Sequence, residues 1–80
     1  MEAEEILGKL KTIISDRLGF DESEITPECN LRKDLCFDSL DEIEFIIDIE
    51  GEFGLSILDE QVEGIETIQQ VVDLIAELTK

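Results

Sequence analysis

Apolar residues recur every three or four positions at the start of the chain. Between Glu2 and Leu18 they stand at Ile6, Leu7, Leu10, Ile13, Ile14 and Leu18. This spacing places one apolar stripe along a helix. Gly19 follows directly, and glycine commonly ends a helix because it adopts left-handed backbone angles without strain. The pattern predicts a first helix over residues 2–18.

A second helix is predicted from Asp38 to about Phe53. Asp is a favourable N-cap, and Asp41 three residues later makes a start similar to a capping box. Gly54 ends this helix, and Gly51 weakens its last turn.

The end of the chain predicts one short helical turn and a last helix. The short turn covers Asp59–Gly64, and the last helix opens at Thr67, where Gln70 completes a capping box. The apolar residues of this helix follow the helical period at Ile68, Val71, Val72, Ile75 and Leu78.

The connection between the first two helices is long and rich in turn-forming residues. We expect an ordered loop over residues 20–37, without regular structure and fixed to the core by Ile25, Leu31 and Leu35. Such loops are uncommon and usually functional. The predicted fold is all-α: a small four-helix bundle of three main helices plus one short one, in a single domain over residues 1–80.

Composition excludes several classes of function. The 80 residues contain 22 acidic and 6 basic side chains and no His, giving a net charge of −16. Nucleic acids and anionic membranes would repel this chain. Without His it has no Ser-His-Asp or Cys-His pair and no His-bearing zinc site. No apolar run is long enough for a membrane span. We therefore expect a protein that is not an enzyme and holds no metal.

The two cysteines indicate a reducing compartment. Cys29 and Cys36 are too few for a disulfide scaffold, and we expect free thiols that behave as small buried hydrophobes. The start of the chain is acidic and has no apolar signal-peptide core. These features predict a cytoplasmic protein, which we expect to be a monomer.

Charge is unevenly distributed along the chain. From Asp34 to Thr79 there are 14 acidic residues and no Lys or Arg. On the second helix an acidic stripe falls within an arc of about 80° and is flanked by apolar side chains. The stripe consists of Asp41, Glu44, Asp48 and Glu52, and the apolar contacts beside it include Leu40, Ile43 and Ile47. Two interpretations remain open: a docking surface for basic partners, or an acidic face that only confers solubility.

Ser39 is the candidate for chemistry. It occupies the first helical position, where a side chain points to solvent and free backbone amides favour an anion. No His or Lys stands beside it to activate the hydroxyl, so another enzyme must modify it if it is used. The alternative is an ordinary serine at a helix start.

The segment Asp34-Leu35-Cys36-Phe37-Asp38-Ser39-Leu40-Asp41 resembles the Asp-Leu-Gly-x-Asp-Ser-Leu-Asp signature of the acyl carrier proteins. The resemblance extends over nearly the whole chain. It includes Leu18-Gly19-Phe20 after the first helix, Glu50-Gly51-Glu52-Phe53-Gly54 at the end of the second, and Thr67-Ile68-Gln69 at the start of the last.

The resemblance implies a role for each matching residue. Ser39 would receive 4′-phosphopantetheine from a phosphopantetheinyl transferase, which Asp38 would help to recruit together with its metal. The arm would carry acyl groups as thioesters between separate enzymes, most directly those of fatty-acid biosynthesis, and the acyl chain would lie between the helices. The residues that would contact partner enzymes with basic patches are Leu40, Asp41, Ile43, Glu44, Ile47, Glu50, Asp59 and Glu63; Asp48 joins them from helical geometry alone.

Three residues depart from the family pattern. Cys36 stands where the family usually has Gly, Gly51 replaces a frequent acid, and Leu58 stands where Pro often precedes the short helix. Two alternatives remain beside the fatty-acid carrier. One is a specialised carrier of a polyketide, amino-acid or lipid-modifying pathway, and the other is an unmodified acidic helical interaction module. Calcium binding has little support, because no EF-hand loop is present.

Overall fold

The computed structural model describes residues 2–79. It contains four α-helices: α1, Ala3–Leu18; α2, Ser39–Phe53; α3, Asp59–Val62; and α4, Ile68–Leu78. Within this part of the chain no β-strand forms, and Asn30 and Thr67 make an isolated antiparallel bridge. The predicted all-α fold of three longer helices and one short helix is confirmed.

Local capping residues set the ends of α1 and α2 and the start of α4 where the sequence predicted them. Gly19 ends α1 with φ 78°, and its amide donates to the carbonyl of Ser15 at 2.9 Å. Gly54 ends α2 with φ 66°. At α4 the amide of Gln70 donates to Oγ1 of Thr67, while the amide of Thr67 donates to Oε1 of Gln70 at 2.9 Å. These bonds satisfy helix-end groups that have no intrahelical partner.

The core lies where α1 packs against both α2 and α4. Each of these helices buries its apolar stripe, and the first connection and the segment after α2 contribute the remaining side chains. The buried residues are Ile6, Leu10, Ile14, Ile25, Leu31, Leu35, Phe37, Phe45, Ile49, Ile57, Ile68, Val71, Val72 and Ile75. Ile25, Leu31 and Leu35 therefore fix the long connection to the core, as expected.

The expectation that this connection lacks regular structure is wrong in one segment. A 3₁₀ helix forms over Glu22–Glu24, because Oδ1 of Asp21 accepts from the amide of Ser23 at 3.0 Å and from its hydroxyl at 2.9 Å. The hydrogen bond from the Ser23 amide, with a smaller contribution from the Ser23 hydroxyl, lowers the pKa of Asp21 below its ordinary value of 3.8. An Asp side chain that bonds to a nearby amide can cap so short a helix.

Backbone hydrogen bonds attach the connection to the start of α4. The amide of Leu31 donates to the carbonyl of Glu66 at 2.8 Å, and the amide of Ile68 donates to the carbonyl of Cys29 at 3.1 Å. Further along, the ring of Phe37 packs edge-on against Phe45 of α2, with centroids 5.3 Å apart. The connection is therefore held by backbone bonds and by buried rings up to the residue before Asp38.

The expectation that both thiols are buried is wrong for Cys36. Both cysteines are free, but Cys29 is partly buried and Cys36 is exposed. Cys36 has φ 59°, the left-handed region that favours glycine. The turn therefore has a conformation suited to the glycine of the resembled pattern, and Cys36 adopts it with its side chain exposed.

The short helix α3 ends sooner than the predicted Gly64. The amide of Leu58 donates to Oε1 of Gln61 at 2.8 Å, but Leu58 has no side-chain oxygen to accept a bond in return. Beyond Val62 the backbone leaves the helical region, and Gly64 has φ 86°. The extended backbone at Glu63 therefore limits α3 to Asp59–Val62, and only half of a capping box forms at its start.

Candidate functional site

The start of α2 presents Ser39 to solvent. Asp38 is the N-cap: its Oδ1 accepts from the amide of Asp41 at 2.8 Å, and Oδ2 of Asp41 accepts from the amide of Asp38 at 3.2 Å. Ser39 is the first helical residue and is exposed. The reciprocal bonds fix the backbone on both sides of its hydroxyl, so the predicted capping arrangement is confirmed.

Four large apolar side chains are exposed around this end of α2. Leu40 is 61% exposed, and Ile43, Ile47 and Leu58 are each 59% exposed. The first three lie on α2, and Leu58 immediately precedes α3. Four exposed large apolar residues on so small a protein are a feature of surfaces that contact other molecules.

A cavity of about 480 Å³ lies next to these residues and reaches Ser39. Ile43, Ile47 and Leu58 are at its exposed rim. Its apolar wall comes from α2, α3, α4 and the segments beside them, and consists of Leu31, Phe45, Ile46, Ile57, Val62, Ile65, Val71 and Leu74. The cavity thus joins an exposed hydroxyl to an apolar interior, an arrangement suited to a flexible apolar ligand attached at the rim.

Two acids of the predicted stripe are already paired within the chain. The guanidinium of Arg17 on α1 donates through Nη1 to Glu44, and through Nε and Nη2 to Oδ2 of Asp48. The hydrogen bond with Asp48 is the main reason why the pKa of Arg17 is raised above its ordinary value, and Glu44 adds to the effect. The structure brings Glu44 and Asp48 together on α2, but against a cation of the same chain.

Other α2 acids also have partners. Arg32 of the first connection donates to both carboxylate oxygens of Glu42, at 3.1 and 2.7 Å, and this bonding raises the pKa of Arg32. Lys9 lies 3.4 Å from Glu52 and above the ring of Phe53. Oε2 of Glu50 accepts from the amide of Ile57 at 2.9 Å, which joins the end of α2 to the segment leading to α3. Basic side chains from α1 and the first connection therefore lie against the acids of α2.

The acids near α3 are arranged differently. Asp59 and Glu63 are exposed, and within residues 2–79 no ion pair is formed by either. Asp41 has no ion pair in that range either, although its carboxylate takes part in the cap of α2. These three carboxylates lie close in sequence to exposed apolar residues: Asp41 follows Leu40, Asp59 follows Leu58, and Glu63 follows the end of α3.

The sequence interpretation missed three residues of this surface. Leu58 shares the cavity rim, Arg17 pairs with two stripe acids, and Glu42 lines the cavity beside Ser39. Leu58 had a signal, since it is an apolar residue before two acids at a helix start. Arg17 had none in its neighbourhood, because its partners stand 27 and 31 positions away.

Among residues 2–79 no group of three or more Cys, Asp or Glu side chains has the arrangement of a metal site. No helix in the described part of the chain is long and apolar enough to cross a membrane.

Comparison with known proteins gives a consistent result. Residues 8–75 match the family model described as phosphopantetheine attachment site. An acyl carrier protein of Rubrobacter xylanophilus is 51% identical over 77 residues, covering 96% of this chain and 95% of the relative. One from Thermotoga maritima is 46% identical, covering 90% and 89%. The solved structure of an acyl carrier protein from Enterococcus faecalis superposes with a TM-score of 0.79 at 38% identity, covering 98% of this chain and 99% of that one.

The residues at the start of α2 fit a covalent phosphopantetheine. An exposed serine hydroxyl can form a phosphodiester, and the adjoining apolar cavity can accept what the arm carries. Acyl carrier proteins, as these relatives are named, are carriers rather than enzymes. From the family match over residues 8–75 and the identity of up to 51% to relatives of nearly the same length, the chain belongs to the acyl carrier protein family, whose members hold phosphopantetheine covalently.

Proposed function

We propose that the chain carries acyl groups on a 4′-phosphopantetheine attached to Ser39 and delivers them to separate enzymes of fatty-acid biosynthesis in the cytoplasm. The observation that supports this most directly is the exposed hydroxyl of Ser39 at the rim of an apolar cavity of about 480 Å³. When bound, the arm supplies a terminal thiol that holds an acyl group as a thioester.

Ser39 depends on an external enzyme in this account. In the attachment reaction, the hydroxyl oxygen of Ser39 would bond to the phosphorus of the phosphopantetheine part of coenzyme A. The pyrophosphate bond would break, the 3′,5′-ADP part would leave, and a base of the transferase would take the hydroxyl proton. Asp38 fixes the backbone at Ser39 through the cap, and its exposed position suits a second role in recruiting the transferase and its Mg²⁺. The chain offers Ser39 no His to act as a base.

The cavity suits an acyl chain. Ile46, Val62 and Leu74 belong to a lining that is largely aliphatic, and the rim opens beside Ser39. Burying a CH₂ group in such surroundings is worth about 0.8 kcal/mol. An aliphatic cargo gains several times this energy by leaving water, whereas a short polar cargo gains little.

The exposed surface around the cavity suits a partner with basic groups. Leu40, Ile43 and Ile47 supply apolar contacts, and Asp41, Asp59 and Glu63 supply carboxylates. Glu44, Asp48 and Glu50 belong to the set predicted from the sequence, but each already has a partner in the chain. Apolar contacts at the centre with charges at the edge provide affinity and fast association respectively. A monomer leaves this surface free.

The fatty-acid pathway is tested by loading the phosphopantetheinylated chain with a malonyl transferase and elongation enzymes of fatty-acid synthesis. We expect thioesters that lengthen stepwise, detected by mass spectrometry, and none on a Ser39→Ala control. If the modified chain accepts no malonyl group from an enzyme that loads a known fatty-acid carrier, the specialised-carrier alternative replaces this pathway.

A further inference from the structure

Arg17 divides the acidic surface of α2 into paired and unpaired carboxylates. Its guanidinium spans one turn of α2, from Glu44 to Asp48, and donates to one oxygen of each. The Arg17 side chain is only 25% exposed, whereas the Glu44 and Asp48 side chains are 42% and 36% exposed. The two carboxylates thus remain accessible, but they are oriented towards α1.

A partner cation at this position must compete with Arg17. The planar guanidinium already donates to both carboxylates, which are the groups that a partner arginine would bind. One guanidinium against two carboxylates also leaves a local charge of −1 instead of −2. By contrast, Asp59 and Glu63 have no ion pair within residues 2–79.

We propose that Arg17 is a specificity-determining residue that withholds Glu44 and Asp48 from basic partners. Partners then take their charged contacts from Asp41, Asp59 and Glu63, and their apolar contacts from the exposed residues beside them. The occupant is a partner helix that presents Arg or Lys next to apolar side chains, because it must match both the acidic charge and the exposed leucines and isoleucines. The inference rests on the proposed docking function and states which acids contact the basic partner.

The test uses a synthetic amphipathic helical peptide with one arginine face and one leucine face, titrated calorimetrically at low salt. Arg17→Gln releases both carboxylates, and we expect it to tighten peptide binding about two- to fivefold, the range of a surface ion pair. Lys11→Gln is the matched control, since it removes one positive charge from α1 and Lys11 has no ion pair within residues 2–79. Its effect should be smaller.

A double-mutant cycle separates withheld contacts from net charge. Glu44→Gln should weaken peptide binding little in the wild type and clearly more in the Arg17→Gln background. Arg17→Lys keeps the positive charge but loses the planar guanidinium, so this variant should bind the peptide with intermediate strength. Circular dichroism shows whether each variant is folded. If Arg17→Gln unfolds, Arg17→Lys still tests the inference, because a lysine at this position can keep an ion pair to α2.

Three results would overturn the inference: additive effects in the cycle, equal effects of Arg17→Gln and Lys11→Gln, or no peptide binding by any variant. Failure of the proposed function is seen separately, as a wild-type chain that gains no phosphopantetheine from a transferase. The peptide comparison uses the unmodified chain, so its result stands whichever way that reaction turns out.

Discussion

Asp38 and Asp41 hold each other across the first turn of α2, the amide of each donating to the side chain of the other, at 2.8 and 3.2 Å. Ser39 lies between them in the sequence, with its hydroxyl exposed. The two acids therefore have a structural function that does not depend on any partner. Experiments on either residue must separate this capping from docking.

Substitutions at Asp38 can make that separation. Asp38→Ala removes the side-chain acceptor, so we expect it to lower the free energy of unfolding by about 1 kcal/mol. Asp38→Asn keeps an oxygen that can accept from the amide of Asp41, so its stability should stay near that of the wild type. If Asp38 recruits the transferase through its charge, Asp38→Asn should still slow the modification of Ser39.

Urea unfolding and a modification time course measure the two effects. A wild-type rate of modification for Asp38→Asn would show that Asp38 serves only as a cap.

Cys36 provides a prediction about backbone strain. Its φ of 59° is unfavourable for a side chain with a Cβ, by about 1–2 kcal/mol, and most unfavourable for a β-branched one. Cys36→Gly removes this strain but gives the unfolded chain more freedom, so we expect stability equal to the wild type or up to about 1 kcal/mol higher. Cys36→Val should be the least stable of the three. Thermal melts under reducing conditions give the order, and a valine variant as stable as the glycine variant would contradict the left-handed turn.

The helices could be predicted from the sequence because their signals are local. The apolar spacing of α1 and the Thr67–Gln70 box lie within a few turns of the residues they specify, and the structure keeps both. The exposed Ile43 and Ile47 also followed from an apolar arc wider than one buried face requires.

The ion pairs could not be predicted in this way. Acids and bases are separated along the chain, yet Arg17 reaches Asp48 across 31 positions, and Arg32 and Lys9 reach Glu42 and Glu52. The packing of α1 against α2 creates the contacts of Arg17 and Lys9, and the path of the first connection beside α2 creates that of Arg32. No periodicity within one element encodes them. The cavity beside Ser39 likewise arises from several elements together.

The partner surface predicts a position-dependent effect of charge reversal. Glu63 is exposed and unpaired within residues 2–79, so Glu63→Lys should slow reactions of the modified chain with a basic partner enzyme about two- to fivefold at low salt. Helicity should not change. Glu28→Lys makes the same charge change on the first connection and should have little effect; equal slowing by both variants would show that only net charge matters.

Self-repulsion predicts a dependence of stability on salt. The net charge of −16 already includes all six basic residues, so the four ion pairs found within residues 2–79 leave this acidic excess in place. Salt weakens both attraction and repulsion, and here repulsion is in excess, so the melting temperature should rise with NaCl and more steeply with Mg²⁺. Calorimetry across ionic strength measures this, and a flat or falling melting temperature would contradict it.

The central claim is that Ser39 receives the arm, and intact mass tests it most directly. The purified chain is incubated with coenzyme A, Mg²⁺ and a broad-specificity phosphopantetheinyl transferase, alongside Ser39→Ala. We expect the wild type to gain the mass of one phosphopantetheinyl group and the variant to gain none. A wild type that stays unmodified while a control carrier is modified, or a Ser39→Ala chain that still gains the group, would contradict the account.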